Sequence, residues 1–147
     1  MSEPLLLADD DATAALGRRL AAALKPGDLL LLYGDLGAGK TALARSIIRT
    51  LMADPDLDVP SPSFALVQPY DGNGTSVLHT DLYRIRDPRE VDELGLFDRA
   101  DAIVLCEWPE QADHEFTDRA TGEVSLSIPP SGIGRLARVQ FADRRSF

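Results

Sequence analysis

The sequence has 147 residues, a length typical of one domain that buries its own core without disulfides or metals. Hydrophobic residues make up 44% of the chain and charged residues 27%, which excludes a disordered or fibrous protein. The 24 acidic against 15 basic residues give a net charge of -9, and this sign disfavours direct binding of a nucleic acid through many phosphate contacts.

The first half of the chain predicts a helix, a strand, a glycine-rich turn and a second helix in direct succession. Residues 9–24 place apolar side chains at helical spacing, and Lys25-Pro26-Gly27 closes this helix. Residues 28–33 form a short apolar run, typical of a parallel strand covered on both faces. Residues 40–52 show a second helical stripe that stops before Asp54-Pro55.

The second half of the chain predicts further strands and a terminal hairpin. We expect strands at 64–67, 77–79 and 103–106, a short helix over about 88–96, and an antiparallel hairpin from the alternating residues 124–128 and 136–141. No internal repeat, low-complexity tract or long linker interrupts these elements, so residues 1–147 are expected to form one domain. The predicted fold is a three-layer α/β fold whose mixed, mostly parallel sheet carries a C-terminal antiparallel hairpin.

A complete phosphate-binding (Walker A) sequence, Gly-Asp-Leu-Gly-Ala-Gly-Lys-Thr, occupies residues 34–41 between the predicted strand and helix. The glycines allow backbone N–H groups to face a β-phosphate, Lys40 reaches the β and γ oxygens, and the Thr41 hydroxyl is a ligand for Mg²⁺. The motif in this setting predicts a single P-loop NTPase domain that binds a nucleotide, with ATP and Mg²⁺ as its cofactors.

A P-loop needs a carboxylate at the end of a nearby strand to hold the metal, directly or through water. Glu107 follows the apolar run Ile-Val-Leu-Cys, and Asp81 follows the weaker run Val-Leu-His-Thr. Since strand ends in α/β folds face the ligand, both acids are candidates for catalysis and for metal binding. Their spacing alone does not divide these roles between them.

The compartment follows from three features of the sequence. The only cysteine, Cys106, lies inside an apolar run and is interpreted as a core residue in a reducing environment. The N-terminus lacks the basic start of a signal peptide, and no apolar stretch is long enough to span a bilayer. We therefore expect a cytoplasmic protein with no membrane association.

Two aromatic residues beside the candidate acids have open interpretations. His79 is either a proton carrier or a hydrogen-bonded structural residue, and the second is commoner for a lone histidine near a strand. Trp108 directly follows Glu107 and either stacks on a ligand or packs in the interior. Neither is assigned a catalytic role from the sequence.

Four motifs in order resemble the TsaE family. They are the phosphate loop at 34–41, Val-Pro-Ser-Pro-Ser-Phe at 59–64, His-Thr-Asp-Leu-Tyr-Arg at 79–84 and Glu-Trp-Pro at 107–109, and Gly134-Arg135 in the hairpin also fits. The second half of the set is the more specific, because many families share the Walker A sequence.

That resemblance implies a function. A family member hydrolyses ATP in support of a multi-protein system that places threonylcarbamoyl on the adenosine beside the anticodon of tRNA. Its implied partners are TsaB and TsaD, and tRNA is contacted only indirectly through them. The acidic charge of the chain agrees with this division.

The resemblance also implies site roles, position by position. The loop 61–64 is similar to a switch I loop, although the family usually has threonine where Ser63 stands. Asp81 is placed beside the γ-phosphate, and Glu107 serves Mg²⁺ together with Thr41. The remaining implied nucleotide contacts are Gly37, Ala38, Gly39, Lys40 and Ala42 at the phosphates, and Asp10, Thr13, Gly134 and Arg135 on the adenine side. Apart from the resemblance, Trp108 is a candidate nucleotide contact because it directly follows Glu107.

Three other functions compete with this interpretation. A small-molecule kinase uses the same loop and metal carboxylate, and Arg84, Arg86 and Arg89 are its candidate lid residues. A nucleotide-gated binding module would use ATP to set its affinity for a partner, with hydrolysis incidental. A GTPase is disfavoured, because the chain has no Asn-Lys-x-Asp segment to recognise guanine.

Overall fold

The computed structural model describes residues 3–147, in which a seven-stranded sheet is covered on both faces. The elements in chain order are β1 (Leu5–Leu7), α1 (Asp10–Ala23), β2 (Leu29–Tyr33), α2 (Lys40–Leu51), β3 (Val67–Gly72), β4 (Thr75–Asp81), a 3₁₀ helix (Pro88–Leu94), β5 (Ile103–Glu107), a 3₁₀ turn (Pro109–Gln111), α3 (His114–Thr117), β6 (Gly122–Ser127) and β7 (Arg135–Phe141). Within these residues no helix is long and apolar enough to cross a membrane.

The sheet has the spatial order β1-β7-β6-β2-β5-β4-β3. Strands β6, β2, β5 and β4 are parallel and form its centre, whereas β7 pairs antiparallel with β6 and β1, and β3 pairs antiparallel with β4. The mixed, mostly parallel sheet and the terminal hairpin are therefore confirmed. Because β2, β4 and β5 run in one direction, their carboxyl ends meet at one edge, where α/β folds bind ligands.

Strand β2 explains the fully apolar run seen in the sequence. Leu30 and Leu32 point to the side covered by α1 and α2, in one core cluster with Leu20 and Ile47. Leu29 and Leu31 point to the other side, in a second cluster with Val104 and Phe116. A strand buried on both faces cannot alternate apolar and polar residues, so its continuous run is a consequence of its central position.

The second face of the sheet is covered by short segments. The predicted helix over 88–96 is a 3₁₀ helix of 7 residues at Pro88–Leu94, which ends at Gly95 in the left-handed region with φ 65°. It buries Val91 beside Leu82, Ile85 and Leu96. A segment this short gains little from α-helical hydrogen bonding, because helix nucleation is unfavourable, and 3₁₀ geometry is common in such connectors.

The predicted strand at 64–67 is wrong at its start. The chain turns there, with the Leu66 N–H donating to the Pro62 carbonyl at 2.7 Å, and β3 begins only at Val67. Leu66 itself has φ 66°, a left-handed conformation that a strand cannot contain. Pro60 and Pro62 favour a turn over the β propensity of Phe64, whereas Val67 joins β3 as predicted.

A buried ion pair ties the end of the described chain to the base of β2. The Arg145 guanidinium bonds Asp28 through both Nη atoms, and the two side chains are only 9% and 7% exposed. Arg145 also bonds Asp143 at 2.7 Å and the Ala23 carbonyl at 3.1 Å. These bonds satisfy the Arg145 guanidinium, and Arg145 in turn supplies the counter-charge that the buried Asp28 carboxylate would otherwise lack.

Replacing Arg145 by methionine should therefore destabilise the protein by about 3–5 kcal/mol, because the Asp28 carboxylate stays buried without its counter-charge. Urea denaturation followed by circular dichroism measures the change. The matched control is Arg144→Met, which removes an exposed arginine next in sequence and should shift the free energy of unfolding by less than about 0.5 kcal/mol. Equal urea midpoints for the two variants would contradict this account of the ion pair.

Candidate functional site

The glycine-rich loop joins the end of β2 to the start of α2 and leaves an open cradle. Gly37 and Gly39 have φ of 82° and 101°, and no atom lies within 4 Å of the position that a Cβ would take at either residue. Gly39 is the N-cap of α2 and has no side chain to satisfy the free N–H groups of the first turn. These donors and the positive end of the helix dipole are available to an anion.

Lys40 lies folded back against the loop. Its side chain donates to the Gly34 carbonyl and, at 3.1 Å, to the Asp35 carbonyl, and its Nζ is 4.2 Å from the centre of the Trp108 ring. Burial lowers the pKa of Lys40, and the nearby Glu107 carboxylate opposes that shift. The ammonium is thus held by neutral groups, which phosphate oxygens can replace as stronger partners.

A chain of short hydrogen bonds links α2 to the ends of β4 and β5. The Thr41 hydroxyl lies 2.9 and 3.1 Å from the two Glu107 carboxylate oxygens. His79 Nε2 lies 2.6 Å from Glu107 Oε2. Glu107 is only 2% exposed and His79 is fully buried, so the carboxylate is held mainly by these two side chains.

Asp81 is the neighbour of Glu107 in the parallel pairing of β4 and β5. Its carboxylate accepts the Tyr83 backbone N–H at 2.9 Å and is 6% exposed. Burial raises the pKa of Asp81, the Tyr83 N–H lowers it in part, and the Glu107 charge raises it further. Two acids in one low-dielectric site favour the arrival of a cation.

The loop before β3 closes the site from the side. The Ser61 and Ser63 hydroxyls are 2.7 Å apart. The turn that follows them is attached to β4, because the Leu66 carbonyl accepts both the Asp81 N–H at 3.1 Å and the Thr80 hydroxyl at 2.7 Å. The Leu66 carbonyl therefore fixes this loop to the backbone of Asp81.

These elements surround a cavity of about 300 Å³. Its lining contains much of the phosphate loop, both candidate acids and part of residues 61–64, which we call the serine loop. The lining residues are Leu36, Gly37, Gly39, Lys40, Thr41, Ala42, Ser61, Ser63, Asp81, Tyr83, Glu107 and Trp108. Ala38 is in the same loop but does not line the cavity: it is 1% exposed, and its N–H donates to the Asp35 carbonyl at 3.0 Å. The site predicted from four separate motifs is one place in the structure.

Trp108 lines this cavity together with Tyr83, a residue that was not singled out from the sequence. The Tyr83 and Trp108 rings are 4.8 Å apart at 39°. Trp108 has φ 56°, an uncommon conformation for a bulky residue, which a turn beside a functional site can impose. Tyr83 follows Asp81 by two positions, so its place in the 79–84 motif was the available signal.

The four residues expected on the adenine side lie outside this cavity. Asp10 and Thr13 line a separate groove of about 730 Å³ between α1 and α2, which shares Ala42 of α2 with the cavity. Arg135 donates to the Gly37 carbonyl at 3.0 Å, and Gly134 lies against the backbone of Leu7 and Ala8. These residues flank the open side of the loop, and their contact with adenine stays a prediction.

The donor set fits a cation that a nucleotide helps to bind. No cluster of three or more His, Cys, Asp or Glu side chains suited to a metal occurs in residues 3–147. Magnesium is commonly bound through one or two carboxylates together with phosphate oxygens and water, and does not need such a cluster. Because the single hydrogen of the Thr41 hydroxyl is donated to Glu107, its lone pairs stay free for a metal ion.

Comparisons with known proteins agree on one family. The family model described as "Threonylcarbamoyl adenosine biosynthesis protein TsaE" matches residues 7–132, which includes the four motifs and ends before Gly134. A relative from Rickettsia felis, named tRNA threonylcarbamoyladenosine biosynthesis protein TsaE, is 40% identical over 125 residues, or 84% of this chain and 72% of the relative. A relative of the same name from Streptomyces coelicolor is 37% identical over 123 residues, or 77% of this chain and 83% of the relative.

The fold also has a solved counterpart. The crystal structure of Bacillus subtilis YdiB superposes with a TM-score of 0.72, covering 98% of this chain and 90% of that chain. The two sequences are 22% identical, so this likeness bears on the fold alone. It agrees with the α/β architecture predicted from the sequence.

The raised pKa of Asp81 predicts a pH-dependent stability change in Asp81→Asn without metal or nucleotide. An acid whose pKa is raised by folding destabilises the folded state where it is ionised, and that effect disappears as the pH falls through the folded and then the unfolded pKa. The variant should be more stable than the wild-type protein at pH 7, and the gain should vanish as the pH falls towards about 4. Denaturation in EDTA from pH 4 to 8 measures this, with exposed Glu93→Gln as the control. A gain that is absent at pH 7 or constant with pH would refute the prediction.

Proposed function

We propose, from the premise that this chain belongs to the TsaE family, that it binds and hydrolyses Mg·ATP in support of threonylcarbamoyl transfer to the adenosine beside the anticodon of tRNA. The family identified from the motifs is confirmed, and its members serve threonylcarbamoyladenosine biosynthesis. ATP hydrolysis is the chemistry that we assign to the cavity of this chain.

One observation carries the proposal. The phosphate-loop cation Lys40, the hydroxyl of Thr41 and the carboxylates of Asp81 and Glu107 all line a single cavity of about 300 Å³. Phosphoryl transfer requires positioning and charge neutralisation more than covalent help from the protein, and these groups supply both. A cavity built only to bind a neutral ligand would not need two buried acids beside a buried lysine.

Each residue has a part that its position supports. The backbone N–H groups at the start of α2 and the Lys40 ammonium bind the phosphates, and Thr41 with Glu107 holds the cation. Magnesium, when bound, neutralises charge that develops on the β- and γ-phosphate oxygens. Asp81, at the end of the next strand, orients the attacking water or a water of the metal.

We assign TsaB and TsaD as the partners of this ATPase, with tRNA held by them and not by this chain. The net charge of -9 supports that division, because an acidic surface repels a polyanion. A soluble protein of tRNA modification is expected in the cytoplasm. The serine loop is the element through which docking acts, since it borders the cavity and its Phe64 ring is 84% exposed.

The small-molecule kinase is less well supported. Of its three candidate lid residues, Arg89 pairs with Asp87 at 2.6 Å and Arg84 lies over the Phe64 ring at 4.3 Å. Among the described residues that line the cavity there is no arginine. A kinase lid needs cations free to close over the transferred phosphoryl group, which these contacts oppose.

Lys40→Ala should lower the affinity for Mg·ATP by at least about 100-fold, because it removes the side-chain cation of the phosphate site. Isothermal titration calorimetry measures the affinity. Lys25→Ala is the matched control, since Lys25 is the other lysine of the chain and is exposed. Unchanged ATP binding by the Lys40 variant would show that the loop is not the nucleotide site.

Steady-state phosphate release should be slow for the isolated protein and should rise on addition of TsaB and TsaD. Docking that stabilises the competent loop by about 1.4 kcal/mol raises turnover about tenfold if that state is rare. Ser63→Ala should blunt the rise, whereas the exposed Ser146→Ala, outside the cavity, should keep it. Equal rates with and without the partners would refute coupling, and a full response in the Ser63 variant would remove this hydroxyl from it.

A further inference from the structure

We propose that His79 is a positioning residue, which fixes the orientation of the Glu107 carboxylate and so prepares Thr41 and Glu107 for the magnesium ion. The inference rests on the proposed function, because the cation in question is the one bound with ATP. It concerns a side chain that does not line the cavity and would not touch the nucleotide.

The placement of His79 follows from the strand register. In the parallel pairing of β4 and β5, His79 lies beside Leu105 and Asp81 lies beside Glu107. Side chains two positions apart share a face, so β4 presents Val77, His79 and Asp81 in turn to the α2 side of the sheet. The His79 side chain therefore lies between the apolar core on one side and the Asp81 and Glu107 carboxylates on the other.

Glu107 needs an external constraint on its carboxylate. The terminal torsion of a glutamate side chain has a broad, roughly two-fold preference, so the carboxylate orientation is not fixed by the rotamer. The Thr41 hydroxyl contacts both oxygens at nearly equal distances, 2.9 and 3.1 Å, and does not select one of them. His79 does select, because Nε2 contacts Oε2 alone at 2.6 Å.

The other nitrogen of the ring shows where the polar function of His79 is directed. Nδ1 is buried and has no hydrogen-bond partner within residues 3–147, and the side chain as a whole is 0% exposed. Because the Glu107 carboxylate accepts, the contact at Oε2 requires a hydrogen on His79 Nε2. A polar ring buried with an unsatisfied atom destabilises the fold relative to an apolar side chain, so its bond to Glu107 is the feature that explains its presence.

This arrangement divides the work around the carboxylate. His79 holds Oε2 from the core side, the Thr41 hydroxyl donates from α2, and the remaining lone pairs of Glu107 face the cavity. Removal of a hydrogen-bond partner behind a metal-binding side chain typically lowers metal affinity or activity by about 10–100-fold.

The test separates the metal from the nucleotide. His79→Leu removes the donor, His79→Gln keeps an N–H near the place of Nε2, and Leu105→Ala disturbs the same core layer without touching Glu107. ATP affinity is measured by calorimetry in EDTA and over a Mg²⁺ titration. His79→Leu should raise the Mg²⁺ concentration of half-maximal effect by about 10–100-fold and leave metal-free ATP affinity within about twofold. His79→Gln should recover most of the shift, and Leu105→Ala should show none.

A spectroscopic readout tests the contact without any ligand. Nitrogen-15 NMR of the histidine rings in nucleotide-free protein should show His79 with its hydrogen on Nε2, and Glu107→Gln should shift that resonance. A ring that carries its only hydrogen on Nδ1 would overturn the proposal.

The binding outcomes also distinguish the two hypotheses. A wild-type Mg²⁺ dependence in His79→Leu, or the same shift in Leu105→Ala, would overturn the positioning role and leave the proposed function intact. Loss of metal-free ATP affinity in His79→Leu would mean that the ring only supports the fold. An ATP affinity of the wild-type protein that ignores Mg²⁺ would overturn the proposed function and the metal-orienting role together.

Discussion

The hydrogen bond between the Thr41 hydroxyl and the Glu107 carboxylate is the interaction on which the rest of the site depends. It joins the first turn of α2 to the last residue of β5, and so connects the helical layer to the sheet at the edge where the strands end. A carboxylate that is only 2% exposed requires such donors, because an unpaired buried charge is strongly destabilising. The same bond leaves Thr41 able to accept a cation. Fold stability and readiness for metal therefore arise from one contact.

The net negative charge of the protein makes the binding of an anion depend on local groups. A chain with a net charge of -9 would have to bind an anionic ligand against its own field, and the groups that this site offers for that purpose act at short range. The free N–H groups of α2 and one buried lysine lie within the first turn, where the helix dipole adds to them. Asp81 and Glu107 would repel phosphate if they stood alone, but with a divalent cation between them and the phosphate they become attractive. Metal and nucleotide are expected to depend on each other for this reason.

The sequence predicted those features whose residues are neighbours along the chain. The apolar run of β2, the phosphate loop and the first turn of α2 form one continuous stretch of chain, so each could be predicted with its role. Glu107 and Asp81 were predicted at strand ends, but their closeness depends on the register of β4 and β5, which the sequence does not state. The turn at Leu66 was missed, and the short helix predicted over about 88–96 is present as a 3₁₀ helix that ends at Leu94, because tertiary contacts decide the geometry of such short segments. His79 was left open for the same reason, since its partner is 28 residues away.

The contact between Lys40 and Trp108 makes intrinsic tryptophan fluorescence a probe of the phosphate loop. Trp108 is the single tryptophan of the chain, and its indole lies 4.2 Å from the lysine ammonium and 4.8 Å from the Tyr83 ring. Indole emission is sensitive to nearby charge and polarity, so any event that draws the ammonium away from the ring changes the fluorescence of the unmodified protein. Occupation of the loop by an anionic ligand could then be followed in a stopped-flow instrument without a label, and so could the release of that ligand. The side chain that covers the site is also its own optical reporter.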